Sequence, residues 1–109
     1  MSPDIENEFY ATFPELFRGR FKPIEESLIC CGFGCGDESR GLLWDHCLAL
    51  EKVALEANLS RDHDRWPEIS QVKEKCGTLR VYVRNETDKM RVLREQLLMD
   101  SANGDASLL

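Results

Sequence analysis

The stretch "QVKEKCGTLRVYV", residues 71–83, decides the fold that this sequence predicts. Two runs rich in strand-forming residues flank Cys76 and Gly77. A glycine in the second position of a two-residue loop is typical of a tight β-hairpin. With this pair as the turn, Lys73 faces Arg80 across the two strands. We therefore predict an antiparallel hairpin with a fixed register.

Alternation along the two strands sorts the hairpin's side chains onto two faces. An aliphatic face has to cover a core and a cationic face has to meet water, so a slip by one residue would bury four cations. Glu74 falls on the aliphatic face, and we expect it to reach solvent near the turn or to pair with Arg40 or Arg94. The aliphatic face comprises Val72, Glu74, Leu79, Val81 and Val83, and the cationic face comprises Gln71, Lys73, Lys75, Arg80, Tyr82 and Arg84.

A long amphipathic helix is predicted over "SRGLLWDHCLALEKVALEAN", residues 39–58, with Asp37 or Ser39 as its N-terminal cap. Its apolar residues recur every three or four positions and form one stripe, while charged residues occupy much of the remaining surface. The stripe comprises Leu43, Cys47, Leu50, Ala54 and Ala57, widened by Trp44 and Leu48, and the charged positions are Arg40, Asp45, Glu51, Lys52 and Glu56.

The chain before this helix predicts shorter elements. Residues 1–26 are interpreted as an N-terminal helical segment and a connector, because Phe9 and Phe13 fall at helical spacing. Pro14 either ends that helix or opens a second helical turn. Residues 27–31 favour a short strand that leads into a glycine-rich loop.

A final helix is predicted after "RNET", where Asn85 and Asp88 resemble a capping box. Residues 100–109 are expected to fray as a tail. Together the elements predict a single α+β domain over residues 1–109. Its β-hairpin, or a three-stranded antiparallel sheet if the strand at 27–31 joins it, packs against two or three helices. The apolar stripe of the final helix comprises Met90, Leu93 and Leu97.

Charge is distributed unevenly along the 109 residues. The net charge is −6, all of it in residues 1–60, and residues 61–109 are neutral overall. General nucleic-acid binding depends on a dominant cationic surface, so this balance argues against it. An acidic surface suits docking onto basic partners, and it also serves solubility alone. No run is long and apolar enough to cross a membrane, and the acidic start is unlike a signal peptide, so we expect an intracellular protein.

The sequence contains five cysteines. Because the number is odd, full disulfide pairing within the chain would leave one cysteine unpaired. We expect free thiols in a reducing compartment. Zinc sites usually take cysteines in close pairs two residues apart, and that spacing is lacking, so no metal is predicted. The best candidate for a reactive thiol is Cys35, just ahead of a helix. An enzyme or regulator that depends on metal or thiols would use Cys31, Cys35 and His46.

Two surfaces are candidates for partner binding. Interleaved cations and an aromatic ring on an open sheet can bind an acidic protein surface or an RNA strand, and they are equally typical of a solvated sheet face. Acidic positions on the long helix offer an alternative contact surface. The first surface comprises Lys73, Lys75, Arg80, Tyr82 and Arg84, and the second comprises Asp45, Glu51 and Glu56.

Two stretches resemble a group of small proteins of phages, prophages and other mobile elements. "QVKEKCGTLRVYV" is similar to the group's "QVKEKFGGLRFYV", and "FGCGDESRGLLWDHCLALE" is similar to its "FECGDGW…LL..LC..LE". The matching stretches follow in the same order, within residues 33–51 and 66–83. Cys76, Thr78 and the pair at 38–39 depart from the group's residues. The resemblance implies a mobile-element origin and an α+β fold, and it supplies no activity or catalytic residue.

We therefore expect a non-enzymatic protein-binding inhibitor or accessory protein of a phage or mobile element. It would act without a cofactor in the cytoplasm of the bacterial host. Small size, acidic first half and the resemblance favour counter-defence, as in an anti-CRISPR, by capture of a host protein or nucleoprotein complex such as a CRISPR effector. The alternatives are a metal- or thiol-dependent enzyme or regulator and a small RNA-binding module. Contact with a membrane and direct binding of nucleic acid are not expected.

Overall fold

The predicted hairpin is formed by strand β1 (Glu68–Lys75) and strand β2 (Thr78–Arg84). The computed structural model describes residues 1–107, and their side chains through residue 102. The two strands pair antiparallel in the predicted register, with Lys73 opposite Arg80. The α+β class and the register are thus confirmed.

The hairpin turn places two consecutive residues in the left-handed region, Cys76 at φ 54° and Gly77 at φ 76°. This pair of angles is that of a type I′ turn, whose twist matches the twist of the flanking strands. Glycine adopts it freely, whereas a residue with a Cβ is disfavoured by roughly 1–2 kcal/mol. The sequence did not predict the register shift, a β-bulge, between Ile69 and Gln71.

The aliphatic face of the hairpin covers the core as predicted. Val72, Leu79 and Val81 are buried, and Val83 is half-buried. Glu74 lies beside Leu79 near the turn but is exposed, and it makes no ion pair in residues 1–102. The solvent-exposed alternative for this carboxylate is therefore the one observed.

Helix α1 (Pro3–Thr12) ends before Pro14, and a turn followed by a 3₁₀ segment at residues 18–21 continues the chain. The aromatic residues predicted at helical spacing are buried whether they lie in the helix or in the turn. The ring of Trp44 packs edge-on against Phe9 and Phe13, at centroid distances of 4.9 and 5.0 Å. An aromatic cluster thus joins the first segment to the long helix.

Helix α2 (Arg40–Glu56) is the predicted long helix. Two members of the expected stripe lie elsewhere: Ala57 is exposed because the helix ends before it, and Leu48 is 49% exposed on a flank that faces away from the core. Trp44 is half-buried, and the remaining members are fully buried and confirm the stripe. They are Leu43, Cys47, Leu50 and Ala54.

The predicted capping of α2 is wrong. Ser39 makes no capping hydrogen bond with its side chain, because a 3₁₀ turn at residues 37–39 leads directly into the helix. The carboxylate of Asp37 instead accepts a hydrogen bond from the backbone N–H of Ser2 at 2.9 Å. This contact joins the start of α2 to the start of α1.

The strand predicted at residues 27–31 is also wrong, since Ile29–Cys31 form a 3₁₀ turn that Gly32 ends at φ 82°. The segment still lies along β1, because the N–H of Leu28 donates to the carbonyl of Ser70 at 2.9 Å. Further on, Gly34 forms a single parallel bridge to β1. Among residues 1–107 the sheet therefore has two strands, with irregular chain covering the outer edge of β1.

Helix α3 (Asp88–Ser107) packs against β2 and α2. The predicted capping box is wrong: Thr87 caps the helix, its Oγ1 accepting a hydrogen bond from Met90 N at 3.3 Å. Asn85, at φ 63°, turns the chain and donates to the carbonyl of Trp66. In the predicted stripe Met90 and Leu97 are buried and Leu93 is half-buried.

The expected tail at residues 100–109 continues α3 in its backbone as far as Ser107. Leu108 and Leu109 lie outside the described residues, and fraying of the tail stays a prediction.

Candidate functional site

The solvent side of the hairpin carries the residues predicted for partner binding, and we call it the outer face. None of these residues is buried, and Tyr82 is 41% exposed. The ammonium of Lys73 lies 5.3 Å from the centroid of the Tyr82 ring, within the range of a cation–π contact. The outer face is thus a cationic sheet surface built around one aromatic ring. Its residues are Lys73, Lys75, Arg80, Tyr82 and Arg84.

The four cations of the outer face make no ion pair with a carboxylate in residues 1–102. Arg80 Nε donates to Thr78 Oγ1 at 3.3 Å, and a guanidinium nitrogen of Arg84 donates to the carbonyl of Glu26. Neither contact neutralises the charge. The outer face therefore keeps its positive charge although the chain as a whole is acidic.

An open groove of about 270 Å³ borders the outer face. Its apolar wall is formed by Ile24, which is 53% exposed, Leu28, which is 40% exposed, and the ring of Tyr82. The charged residues that line it are Arg84, Glu25 and Glu26. The hydrogen bond between Leu28 and Ser70 holds the apolar wall against β1. The outer face and the groove share Tyr82 and Arg84, so they form one continuous surface.

A smaller cleft of about 120 Å³ lies between β2 and α3, on the other side of Arg80 and Tyr82. Arg94 lines it and is held by both carboxylate oxygens of Glu86, at 2.9 and 3.1 Å. Ser101 Oγ of α3 accepts a hydrogen bond from Leu79 N of β2 at 2.8 Å. The helix is therefore anchored at the border of the outer face.

The alternative acidic surface is only partly available. Asp45 and Glu56 are exposed on α2. Glu51 is 8% exposed, and one of its carboxylate oxygens lies 2.5 Å from the guanidinium of Arg61. The expectation that Glu51 forms part of an acidic contact surface is corrected by this burial. What remains is two carboxylates beside the exposed side chain of Leu48.

Cys35, Cys47 and His46 are not arranged for thiol catalysis. Burial, with smaller contributions from nearby carboxylates, raises the pKa of Cys35 to about 11, the opposite of an activated thiol. Burial also raises the pKa of Cys47. His46 is 5% exposed, and its burial lowers its pKa to about 4. Within the described residues no three side chains of His, Cys, Asp or Glu gather where they could hold a metal ion.

Sequence reasoning missed two features next to the outer face. Glu68, 3% exposed at the start of β1, lies 2.8 Å from Lys22 and 3.5 Å from Arg18. The groove likewise depends on a connector that meets β1 across more than forty positions of sequence. Neither a local motif nor a periodicity encodes such contacts. The only sequence signal for the groove was the presence of the apolar residues Ile24 and Leu28 in the connector.

No family model matches this chain. No curated protein and no solved structure shows significant similarity to it. The resemblance to mobile-element proteins therefore rests on the two sequence stretches alone. In residues 1–107 no helix combines the length and apolar character that crossing a membrane would require.

Proposed function

We propose that this chain is a non-enzymatic inhibitor or accessory protein of a phage or mobile element. It binds a host protein or nucleoprotein complex in the bacterial cytoplasm and acts in counter-defence, in the manner of an anti-CRISPR protein on a CRISPR effector. The observation that carries the proposal is the outer face, whose four cations have no carboxylate partner within the described residues.

The charge of the outer face favours an acidic protein surface as its target. Complementary potentials accelerate encounter and fix the orientation of a complex. Lys75 and Arg84 are exposed, and Lys73 and Arg80 are half-exposed, so a partner could reach all four cations without any rearrangement of the chain.

The groove next to the outer face adds an apolar element to the same surface. Interfaces typically combine an apolar or aromatic centre with a charged, solvent-accessible rim. Tyr82 occupies the centre here, with Ile24 and Leu28 on one side and the cations on the other. Tyrosine and arginine are also the residue types that most often dominate binding energies.

The two alternatives have less support. A thiol enzyme would need a cysteine of lowered pKa close to a histidine, whereas the pKa of Cys35 is raised and His46 is buried. An RNA-binding module would use the outer face, but four cations on a chain of net charge −6 give little of the positive potential that nucleic acid attracts.

Capture from a bacterial lysate tests the proposal. The tagged chain is incubated with bacterial lysate, with and without nuclease treatment, and captured proteins are identified by mass spectrometry. The identified partner is then purified and its affinity measured for the chain and for two charge-reversal variants. Arg80→Glu with Arg84→Glu reverses two charges on the outer face, and Arg65→Glu with Lys89→Glu reverses two exposed charges elsewhere.

We expect the outer-face variant to lose the partner while the control variant keeps it. The free energy of unfolding of each variant should lie within about 0.5 kcal/mol of the parent's, because surface substitutions of this kind rarely change stability more. Full affinity in the Arg80/Arg84 variant would remove the outer face as the binding surface. A captured species that disappears with nuclease treatment would favour the RNA-binding alternative.

A further inference from the structure

Two of the five cysteines lie next to each other in an exposed turn. Cys30 and Cys31 belong to the 3₁₀ turn at residues 29–31, and both are exposed. Cys35 and Cys47 are buried, and Cys76 is exposed alone at the tip of the hairpin. The chain therefore presents one pair of neighbouring accessible thiols, together with a single accessible thiol that serves as an internal comparison.

The backbone that carries the pair is anchored. Ile29 is fully buried, and the N–H of Leu28 donates to β1. The N–H of Cys31 donates to the carbonyl of Leu28 at 3.0 Å, and the N–H of Gly32 donates to that of Ile29 at 3.0 Å. The turn is thus fixed against the sheet, while both thiol side chains remain in solvent.

The neighbouring Cys31 affects the pKa of the Cys30 thiol. Partial loss of hydration, followed by a side-chain hydrogen bond with Cys31 and the charge of Cys31, raises the pKa of Cys30. The Cys30 thiol also lies 3.6 Å from the carbonyl of Ser27, to which it donates. At neutral pH Cys30 is accordingly a protonated thiol next to a second exposed thiol in the sequence.

Neither a direct disulfide nor a structural metal suits this geometry. Consecutive Cα atoms are about 3.8 Å apart across a trans peptide, whereas Cα atoms joined by a disulfide are usually about 4.4–6.8 Å apart. A direct sulfur–sulfur bond within the turn would therefore be strained. A structural zinc takes four protein ligands, and the described residues bring no three candidate ligands together here.

We propose that Cys30 and Cys31 form a binding site for monosubstituted trivalent arsenicals. Such a compound carries one carbon substituent on arsenic, so two sulfurs complete its three ligands. An atom placed between two sulfurs also spans a longer gap than a direct sulfur–sulfur bond. Thiol sulfur is a soft ligand, and soft centres select it over the oxygen and nitrogen ligands elsewhere on the surface.

The binding step is a condensation and needs no oxidant. Arsenic bonded to one carbon and one oxygen reacts with the two thiols, and two arsenic–sulfur bonds form. The oxygen leaves with both thiol hydrogens as one molecule of water, and arsenic remains trivalent. The two thiol groups supply the two hydrogens that this balance requires.

Titration of the reduced full-length chain with phenylarsine oxide tests the site. Intact-mass spectrometry counts the bound phenylarsenic groups after competition with excess of a monothiol, which removes arsenic held by one sulfur. The same titration is run on Cys30→Ser, Cys31→Ser, Cys35→Ala and Cys76→Ser. Circular dichroism of each variant confirms that the exposed substitutions leave the fold intact.

We expect one phenylarsenic group per chain in the parent, in Cys76→Ser and in Cys35→Ala. Cys30→Ser and Cys31→Ser should each bind about 10²–10⁴-fold more weakly, because losing the second sulfur removes the effective concentration of a bidentate site. The proposal is overturned if the parent keeps no arsenic against the monothiol. It is equally overturned if either serine variant at 30 or 31 binds like the parent, since arsenic would then use another thiol.

Discussion

Replacing His46 is expected to reduce the loss of unfolding free energy that this fold shows as the pH falls. His46 is 5% exposed in α2, and within residues 1–102 its Nε2 finds no hydrogen-bond partner. The charges of Glu86 and Arg94 act in opposite directions on the pKa of the imidazole. Burial outweighs both and lowers the pKa from 6.5 to about 4, so the folded chain holds this histidine neutral.

The sign and size of the effect follow from linkage. Below pH 6.5 the unfolded chain takes up a proton at His46 that the folded chain refuses until the pH approaches 4. Stability is therefore complete above pH 6.5 and decreases as the pH falls towards 4. Between pH 8 and pH 5 this single group should lower the free energy of unfolding by about 2 kcal/mol.

Urea denaturation at pH 8 and pH 5 measures this loss, followed by circular dichroism. The chain is compared with His46→Gln and with His63→Gln, which removes an exposed histidine. The parent and His63→Gln should lose about 2 kcal/mol more than His46→Gln over this interval. An equal loss in all three proteins would mean that His46 is not held neutral by burial, and it would refute the reasoning.

Three further predictions concern the hairpin turn, the start of β1 and α2, each measured by urea denaturation at pH 8. Cys76→Asn should raise the free energy of unfolding by about 0.5–1 kcal/mol, because asparagine tolerates the left-handed first position of a type I′ turn; a lower stability would contradict this. Glu68→Gln should lower it by about 1–3 kcal/mol, since the buried carboxylate loses its charged contact with Lys22; an unchanged value would mean that the contact contributes nothing. Leu50→Ala should cost about 2–5 kcal/mol and Leu48→Ala less than about 0.5 kcal/mol, and equal losses would contradict the burial of one face of α2.

The hairpin and the long helix could be predicted because their signals are local. Strand alternation and the Cys76-Gly77 turn specify the register, and apolar spacing specifies the buried stripe of α2. The prediction was wrong at residues 27–31, where a glycine at positive φ and hydrogen bonds to β1 produce a 3₁₀ turn instead of a strand. Tertiary contacts decided that segment, and no local pattern contains them.

Some features of the candidate site could likewise be predicted from local sequence patterns, and others could not. The cations of the outer face follow from alternation alone, so sequence placed them correctly on the solvent side. The groove beside Tyr82 depends on a connector that meets β1 across more than forty positions of sequence, and buried Glu51 pairs with Arg61, ten positions later in the loop after α2. Helical spacing placed Glu51 among the charged positions of α2, and only its contact with Arg61 explains why it is buried.

Labelling of lysines with an amine-reactive acetylating reagent, with and without the captured partner, tests the outer face most directly. Lys73 and Lys75 lie on that face, Lys52 lies beside the acidic positions of α2, and Lys89 is exposed at the start of α3. We predict that bound partner lowers the labelling of Lys73 and Lys75 severalfold and leaves Lys52 and Lys89 unchanged. Protection of Lys52 with undiminished labelling of Lys73 and Lys75 would contradict the account and assign binding to α2.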